Sequence, residues 1–350
     1  MAKILYSLNG EGMGHAIRSQ AIIEKLLRHR HNIIITAGGK AYKYLHGRFN
    51  DVFEIEPFHI SYKDNTVNRL GTFFEFFRHF RKKVRSARRI IRIIKRFRPD
   101  VIISDFDIYS VFLKPVCRVP IISIDNQSII TNAKISFPRK HWLDYIISWL
   151  LVKSATSAAD YHLITSFFQA EIKKKNTYLF PPVIRKKILD AKPTSRGHVL
   201  VYQTSWTDKK LFEVLKKVPE NFVVYGYKKT GKDNNLTFRN FDERNFVKDL
   251  ASCKAVITNG GFTLITEALY LRKPVLSVPV KKQFEQILNA HYLDKTGIGK
   301  FCEEISVSAV KSFLKSLRKY KKKLEQRHSW DNHKIIARIN LIIKKHEKQA

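Results

Sequence analysis

The stretch 258–290, TNGGFTLITEALYLRKPVLSVPVKKQFEQILNA, constrains this chain more than any other. It reads as strand end, glycine turn, helix, strand, polar loop and helix start. The five residues 254–258 (KAVIT) are short, apolar and largely β-branched, the composition of a buried strand. Asn259, Gly260 and Gly261 break that pattern. Residues 262–271 are helix formers, with Leu264, Ala268 and Leu271 at helical spacing. Pro274 ends the helix and 275–280 returns to strand character. A glycine pair between a strand and a helix N-terminus is a seat for an anion. The glycines let the backbone come close, and the free N–H groups from Gly261 through Phe262 and Thr263 to Leu264 point at the charge. Glu267 lies about one turn further on, where a carboxylate accepts hydrogen bonds from ribose hydroxyls. Glu285 and Gln286 follow the next strand and are placed to hold sugar hydroxyls. The other reading of the pair, a tight turn with glycines for packing alone, suits an isolated GG but not the whole ordered string.

That string (Gly260-Gly261, Glu267, Lys273-Pro274, Pro279, Glu285-Gln286, Asn289-Ala290) resembles the donor-binding signature of nucleotide-sugar glycosyltransferases of the glycosyltransferase-B fold. It is most similar to the bacterial N-acetylglucosaminyltransferases that complete the lipid-linked peptidoglycan precursor, and to diacylglycerol glycosyltransferases. A second match lies at the N-terminus, where a strand at 3–8 runs into NGEGMGHAIRS and then an amphipathic helix. This opens a Rossmann-like half but is not the dinucleotide fingerprint, because G-x-G-x-G-H replaces G-x-G-x-x-G. No acidic residue ends the second strand (32–37), which argues against a dehydrogenase. The likeness covers the C-terminal half and the first twenty residues or so, and is weak between them.

The resemblance implies an α/β fold of two Rossmann-like domains facing across a cleft. It implies that Gly10, Gly12 and Gly14 let the acceptor and the donor phosphates approach, and that His15 is the general base. Histidine suits that work near neutrality; a capping or packing role is the alternative. Thr204 and Ser205 stand where the family's first donor-domain loop touches the diphosphate, although the usual glycines are missing there. The implied reaction is inverting transfer from a uridine diphosphate sugar, with no metal or other cofactor.

Charge adds a constraint of its own. The 350 residues hold 65 Lys and Arg against 30 Asp and Glu, a net +35. Such a field draws anionic partners: nucleic acid, acidic lipid or phosphorylated substrates. Residues 71–98, GTFFEFFRHFRKKVRSARRIIRIIKRFR, concentrate it. Phe73, Phe76 or Phe77, Phe80, Val84, Ala87, Ile91 and Ile94 recur at helical spacing beside a dense cationic face that includes Arg81 and Lys82. That is the composition of a membrane-surface helix, and Phe73, Phe74, Phe76 and Phe77 exceed what one buried face needs. An ordinary Rossmann-layer helix is the alternative. Nucleic acid is disfavoured, since no zinc spacing or RNA-binding signature occurs. No apolar run is long enough to span a bilayer, and the N-terminus has no signal-peptide pattern. Three scattered cysteines suggest a reducing compartment. The expected place is therefore cytoplasmic, peripheral on the inner face of the membrane.

The remaining segments set the boundaries. Strands ending in Asp105-Phe106-Asp107 and Asp125-Asn126-Gln127 bring acids to the carboxyl edge of a sheet, where ligands bind. Asp105 or Asp125 is expected to orient His15, with helix capping as the alternative. Residues 137–152 form an apolar helix, expected to be core rather than the wall of an acceptor groove. Pro181-Pro182 and the basic run after it mark a linker. The domains are expected at 1–184 and 198–328, joined by 185–197, with 329–350 a closing helix returning to the first domain. The function expected is transfer of a sugar to a hydroxyl of a lipid or lipid-linked glycan. A nucleotide-sugar 2-epimerase of the same fold, and a non-catalytic binder of anionic surfaces or nucleic acid, are the rival readings. Donor sugar, acceptor and oligomeric state are not encoded in any motif found.

Overall fold

Two parallel sheets organise the chain, and each has its switch point where the glycine loops lie. The computed structural model describes residues 1–10, 12–57, 62–63, 66–203, 209–227, 229–327 and 330–347. The first sheet contains β1 (Lys3–Leu8), β2 (Asn32–Gly38), β3 (Val52–Ile55), β4 (Val101–Asp105), β5 (Ile121–Asp125), β6 (Tyr161–Thr165) and β7 (Thr177–Phe180). Its order is β7-β6-β5-β4-β1-β2-β3, every pair parallel. The second sheet contains β8 (Val199–Tyr202), β9 (Phe222–Tyr225), β10 (Gly231–Asp233), β11 (Leu236–Phe238), β12 (Ala255–Thr258), β13 (Val275–Ser277) and β14 (Gly299–Phe301). Its order is β10-β11-β9-β8-β12-β13-β14. Only β10, an edge strand, runs antiparallel, and it has no apolar alternation by which to recognise it.

Both sheets are buried on both faces, which is why their strands are runs of Ile, Val and Leu rather than alternating. Alternate residues of β1 serve opposite cores: Ile4, Tyr6 and Leu8 face one layer, while Leu5 faces Ile90, Ile94, Ile102 and Leu113. The last helix, His333–His346, inserts Ile335, Ile336, Ile339, Ile342 and Ile343 into the first of these layers. The chain thus ends on the sheet where it began. Between the sheets lies an apolar floor that draws on both halves. Ile129, Ile130, Phe167 and Phe168 meet Phe262, Phe284, Leu288 and Tyr292, with Phe168 stacked on Tyr292 at 3.6 Å.

Two helical expectations need correction. The basic stretch is not one helix but two, Arg69–Arg78 and Phe80–Phe97, broken at His79. His79 is held by Glu56 at 2.6 Å and Glu75 at 3.2 Å. The break turns the second helix so that Lys83, Ser86, Ile90 and Ile94 form its buried stripe. Phe74, Phe77 and Phe80 are left 68, 58 and 51% exposed, although periodicity assigned Phe80 to the inner face. The Phe73 and Phe76 side chains lie outside the described part. The apolar helix Trp142–Thr156 is not a core element either: only Val152, Ala155 and Thr156 are buried.

In each sheet the strand order reverses beside a central strand, between β1 and β4 and between β8 and β12. Ligands bind outside the carboxyl ends of strands at such points. The segments there carry Asn9, Gly10, Gly12 and the helix start through His15, Asp105 to Asp107, and Asn259 to Gly261.

Candidate active site

His15 stands in the first turn of the helix Met13–Arg28, which Gly12 opens with φ of 94°, a conformation that favours glycine. Its Nδ1 is 2.7 Å from Asp105 Oδ1. Asp105, wholly buried at the end of β4, also accepts from Arg18 Nε at 3.0 Å, from Arg18 Nη2, and from Ser19 Oγ at 2.9 Å. Burial by itself would raise the Asp105 pKa. The Arg18 charge, and then His15, outweigh it and hold the carboxyl down at about 2. Because an ionised carboxylate only accepts, Nδ1–H of His15 donates to Asp105, and Nε2 is the ring nitrogen turned away from that carboxylate. Among the described residues nothing bonds that Nε2. Phe106 lies parallel to the imidazole, with ring centres 6.2 Å apart and planes 14° apart. Its φ of 52° is unusual for a bulky residue and is spent on turning the chain out of β4 beside His15.

The alternative acid is excluded from this role. Asp125 accepts from Ser128 N at 2.5 Å and Ser128 Oγ at 2.9 Å, so it caps the turn that follows β5. Asp107, also placed in the cleft by the sequence, is buried instead beneath the loop, with Ser7 Oγ as donor. Burial lifts its pKa to about 6.

On the facing domain, Gly260 adopts φ of 105° and packs against Ser277 and Gln286. The helix Phe262–Tyr270 begins at Gly261 with no side-chain cap, and a Cβ on Gly261 would meet nothing within 4 Å. The Met13–Arg28 helix is uncapped too, and Gly12 also faces open space. The two helix starts touch: a methyl on Gly14 would lie 2.7 Å from Thr263 Oγ1. Two positive dipole ends thus lie side by side at Gly14 and Thr263, an arrangement that an anion stabilises. Asn289 Nδ2 donates to Gly260 O at 3.0 Å and holds the glycine turn in place.

Other donor-side expectations are met differently. Glu267 is buried and faces no open space. Both its oxygens are taken by Arg185, Nε at 2.7 Å and Nη2 at 2.8 Å, while Arg185 Nη1 reaches Glu243 at 2.7 Å. Burial raises the Glu267 pKa and the Arg185 charge opposes it. Gln286 accepts from Val280 N at 2.9 Å, which secures the loop before its own helix. Glu285 receives Asn126 Nδ2 at 2.8 Å and Gln127 Nε2 at 3.0 Å, both from the other domain. Asn126 Oδ1 in turn accepts from Arg18 Nη1 at 2.9 Å. A polar line therefore runs from His15 through Asp105, Arg18 and Asn126 to Glu285 across the cleft.

Arg18, Phe106, Gln127 and Arg185 were not singled out from sequence as site residues, and Asn126 was noted only as a strand-end candidate. For Arg18 a signal existed: it lies three residues after His15, on the same helical face. Thr204 and Ser205 lie outside the described residues. Arg81 and Lys82 are exposed on the Phe80–Phe97 helix, apart from the His15 cluster. The strand pair Tyr62–Lys63 and Thr66–Val67 bridges to Lys281 of the second domain, so the Arg69–Arg78 helix starts at the rim of the cleft. Among the described residues no three His, Cys, Asp or Glu cluster as a metal site. No described helix is long and apolar enough to cross a membrane.

Two Rossmann-like domains with their glycine loops facing across one cleft define the glycosyltransferase-B fold, and the family that the chain matches makes it a glycosyltransferase. More narrowly, the chain belongs to glycosyl transferase family 1, whose model matches residues 2–318. An uncharacterized glycosyltransferase of Methanosarcina acetivorans is 25% identical over 331 residues, covering 85% of each chain. A UDP-N-acetylglucosamine–N-acetylmuramyl-(pentapeptide) pyrophosphoryl-undecaprenol N-acetylglucosamine transferase of Bacillus cereus is 23% identical over 375 residues, 98% of this chain and all of the relative. Among solved structures, MurG of Acinetobacter baumannii superposes with a TM-score of 0.62 over 99% of this chain and 100% of its own, at 14% identity.

Proposed function

We propose that the chain transfers a sugar, with inversion and without a metal, from a nucleotide diphosphate sugar to a hydroxyl of a lipid or lipid-linked glycan. Uridine is the proposed nucleoside. The observation that carries this reading is the meeting of two uncapped helix N-termini at Gly14 and Thr263, beside the His15–Asp105 pair. His15 Nε2 takes the acceptor proton as the hydroxyl oxygen attacks the anomeric carbon. Asp105 fixes the ring and offsets the positive charge it gains. The anomeric bond to the diphosphate breaks, and its electron pair leaves on the phosphate oxygen. The N–H groups at Gly261 to Leu264 stabilise that charge, the task a metal performs elsewhere. Glu285 and Gln286, at the start of their helix, are the proposed sugar-side contacts. Ribose reading by Glu267 requires that Arg185 let go of its carboxylate.

The lipid nature of the acceptor draws support from the Bacillus cereus relative and from the exposed Phe74, Phe77, Arg81 and Lys82 on the two helices that follow the Thr66–Lys281 bridge. It makes the protein a peripheral one, on the inner face of the cell membrane. The test is incubation with UDP-sugars, with and without undecaprenyl- or diacylglycerol-linked acceptors. Sugar appearing on the lipid, and lost in His15→Ala, is the expected result. Sugar epimerised with no acceptor present would overturn transfer in favour of a 2-epimerase.

A further inference from the structure

The helix Trp142–Thr156 (WLDYIISWLLVKSAT) is apolar on every side, with only Asp144 and Lys153 charged. A helix of that kind is normally enclosed. Here its inner side alone is covered: Val152 and Ala155 are buried, and Tyr145 rests on Phe284, ring centres 5.4 Å apart. Trp142, Leu143, Ile146, Leu150 and Leu151 stand on the outer side, 39 to 58% exposed. Such a patch on a folded chain marks a surface that something else covers.

Its neighbours say what covers it. The short helix Tyr109–Leu113 packs between Trp142–Thr156 and the cationic Phe80–Phe97 helix. Phe112 and Val116, both more than half exposed, continue the apolar surface across it. The Phe80–Phe97 helix presents Arg81, Lys82, Arg85, Arg88, Arg92 and Lys95 to solvent. Three neighbouring helices therefore grade from a bare aliphatic face to a dense cationic one. A second copy would bring two strongly basic surfaces together, which electrostatics opposes. An anionic bilayer meets both ends of the gradient: acyl chains take the leucines, and headgroup phosphates take the cations. Trp142, at the start of the helix, has the amphipathic ring that settles at a membrane interface.

We infer that Trp142–Thr156 is an insertion helix, entering the outer acyl layer of an anionic leaflet while the Phe80–Phe97 helix holds the headgroups. The inference deepens the lipid-acceptor reading and rests on it. Because Tyr145 touches Phe284, the residue before Glu285, the inserted helix braces the start of the donor-domain helix Phe284–Lys295. Bilayer contact is thereby placed against the proposed sugar-side contacts.

The experiment uses the full chain, phosphatidylcholine vesicles with or without phosphatidylglycerol, and the variant L143S/L150S/L151S. Melting temperature shows that the variant folds, and Leu150→Glu alone serves as a second variant. Wild type is expected to sediment with the anionic vesicles, and its Trp fluorescence to shift to the blue. The triple variant is expected to lose about tenfold or more in vesicle affinity, and Trp142→Phe to lose the shift. Equal vesicle binding by wild type and both leucine variants would overturn the insertion helix while leaving the acceptor reading intact. Vesicle binding lost in the variants, with no transfer by wild type to any lipid-linked hydroxyl, would sink the acceptor reading and leave the helix standing. A dimer without vesicles, abolished by the same substitutions, would assign the patch to self-association instead.

Discussion

Asn126 and Glu285 join the two domains: Asn126 Nδ2 donates to Glu285 Oε1 at 2.8 Å, and the same side chain accepts from Arg18 through Oδ1. The amide suits this position because it offers a donor to one side and an acceptor to the other. Asn126→Asp keeps the Arg18 contact but sets a second carboxylate against Glu285. Like charges at that distance repel, so the cleft opens. Small-angle scattering is expected to show a larger radius of gyration, and kcat/KM for the donor to fall about 10- to 100-fold. A variant as compact and active as wild type would show that the link is incidental.

His15 and Asp105 are expected to act as one unit. Asp105→Asn leaves the ring without its carboxylate and is expected to cost roughly 10²-fold or more in kcat. Arg18 also loses its charged partner, so some loss of stability accompanies it. The two effects separate in the double variant. In a His15→Ala background, Asp105→Asn should cost little further activity, because a positioning residue has nothing left to position. A full second loss would make Asp105 a purely structural acid.

The two loops, His15 and the pair of candidate acids Asp105 and Asp125 were legible because each follows from local chemistry: a strand, a glycine break, a helix, and an acid at a strand end; the choice of Asp105 came from the structure. What stayed hidden depends on distant pairing. Arg18 is one of 65 basic residues; its i+3 spacing from His15 puts it on the same helical face but does not name Asp105 or Asn126 as its partners. Glu285 and Glu267 were recognised as acids of the site, but their partners, Asn126 and Arg185, are 159 and 82 residues away. The exposure of Trp142–Thr156 was missed for a different reason. Apolar composition argues for burial and does not say whether protein or lipid provides it.

Asp107 provides a pH signature. Its pKa is raised in the folded chain to about 6, so folding favours the protonated acid. The unfolded chain releases that proton near pH 4, and the folded chain only near pH 6. Stability from this group is therefore complete below about pH 4, declines between the two values and stays low above them. Asp107→Asn removes the decline. Between pH 4.5 and pH 8 the variant is expected to gain about 2 kcal/mol on wild type, read from urea melts at each pH. Parallel pH profiles would refute a buried, protonated Asp107.

The Gly14–Thr263 contact predicts a suppressor. Gly14 lies within a helix, so alanine suits its backbone, but the added methyl would stand 2.7 Å from Thr263 Oγ1. Gly14→Ala is expected to hold the helix ends apart and to weaken UDP binding about tenfold, measured by calorimetry. Thr263→Ala in the same chain removes the clashing atom, and the next Thr263 atom is 3.6 Å away. Binding should largely return. If the double variant binds no better than Gly14→Ala alone, the helix ends do not share the ligand.

Arg185 and Glu267 separate two roles for one carboxylate. A buried bidentate pair is costly to break from one side, because the remaining charge stays behind. Glu267→Gln leaves Arg185 with Glu243 alone and is expected to cost about 3 kcal/mol in urea unfolding. Adding Arg185→Met removes the stranded charge and should restore part of that loss. If Glu267 serves only the nucleotide, Glu267→Gln weakens UDP binding and leaves unfolding unchanged. Loss in unfolding is the outcome the geometry favours, and loss in both is what the proposed ribose reading requires. Under the proposed ribose reading, the carboxylate that holds Arg185 is surrendered to the ribose when the nucleotide binds.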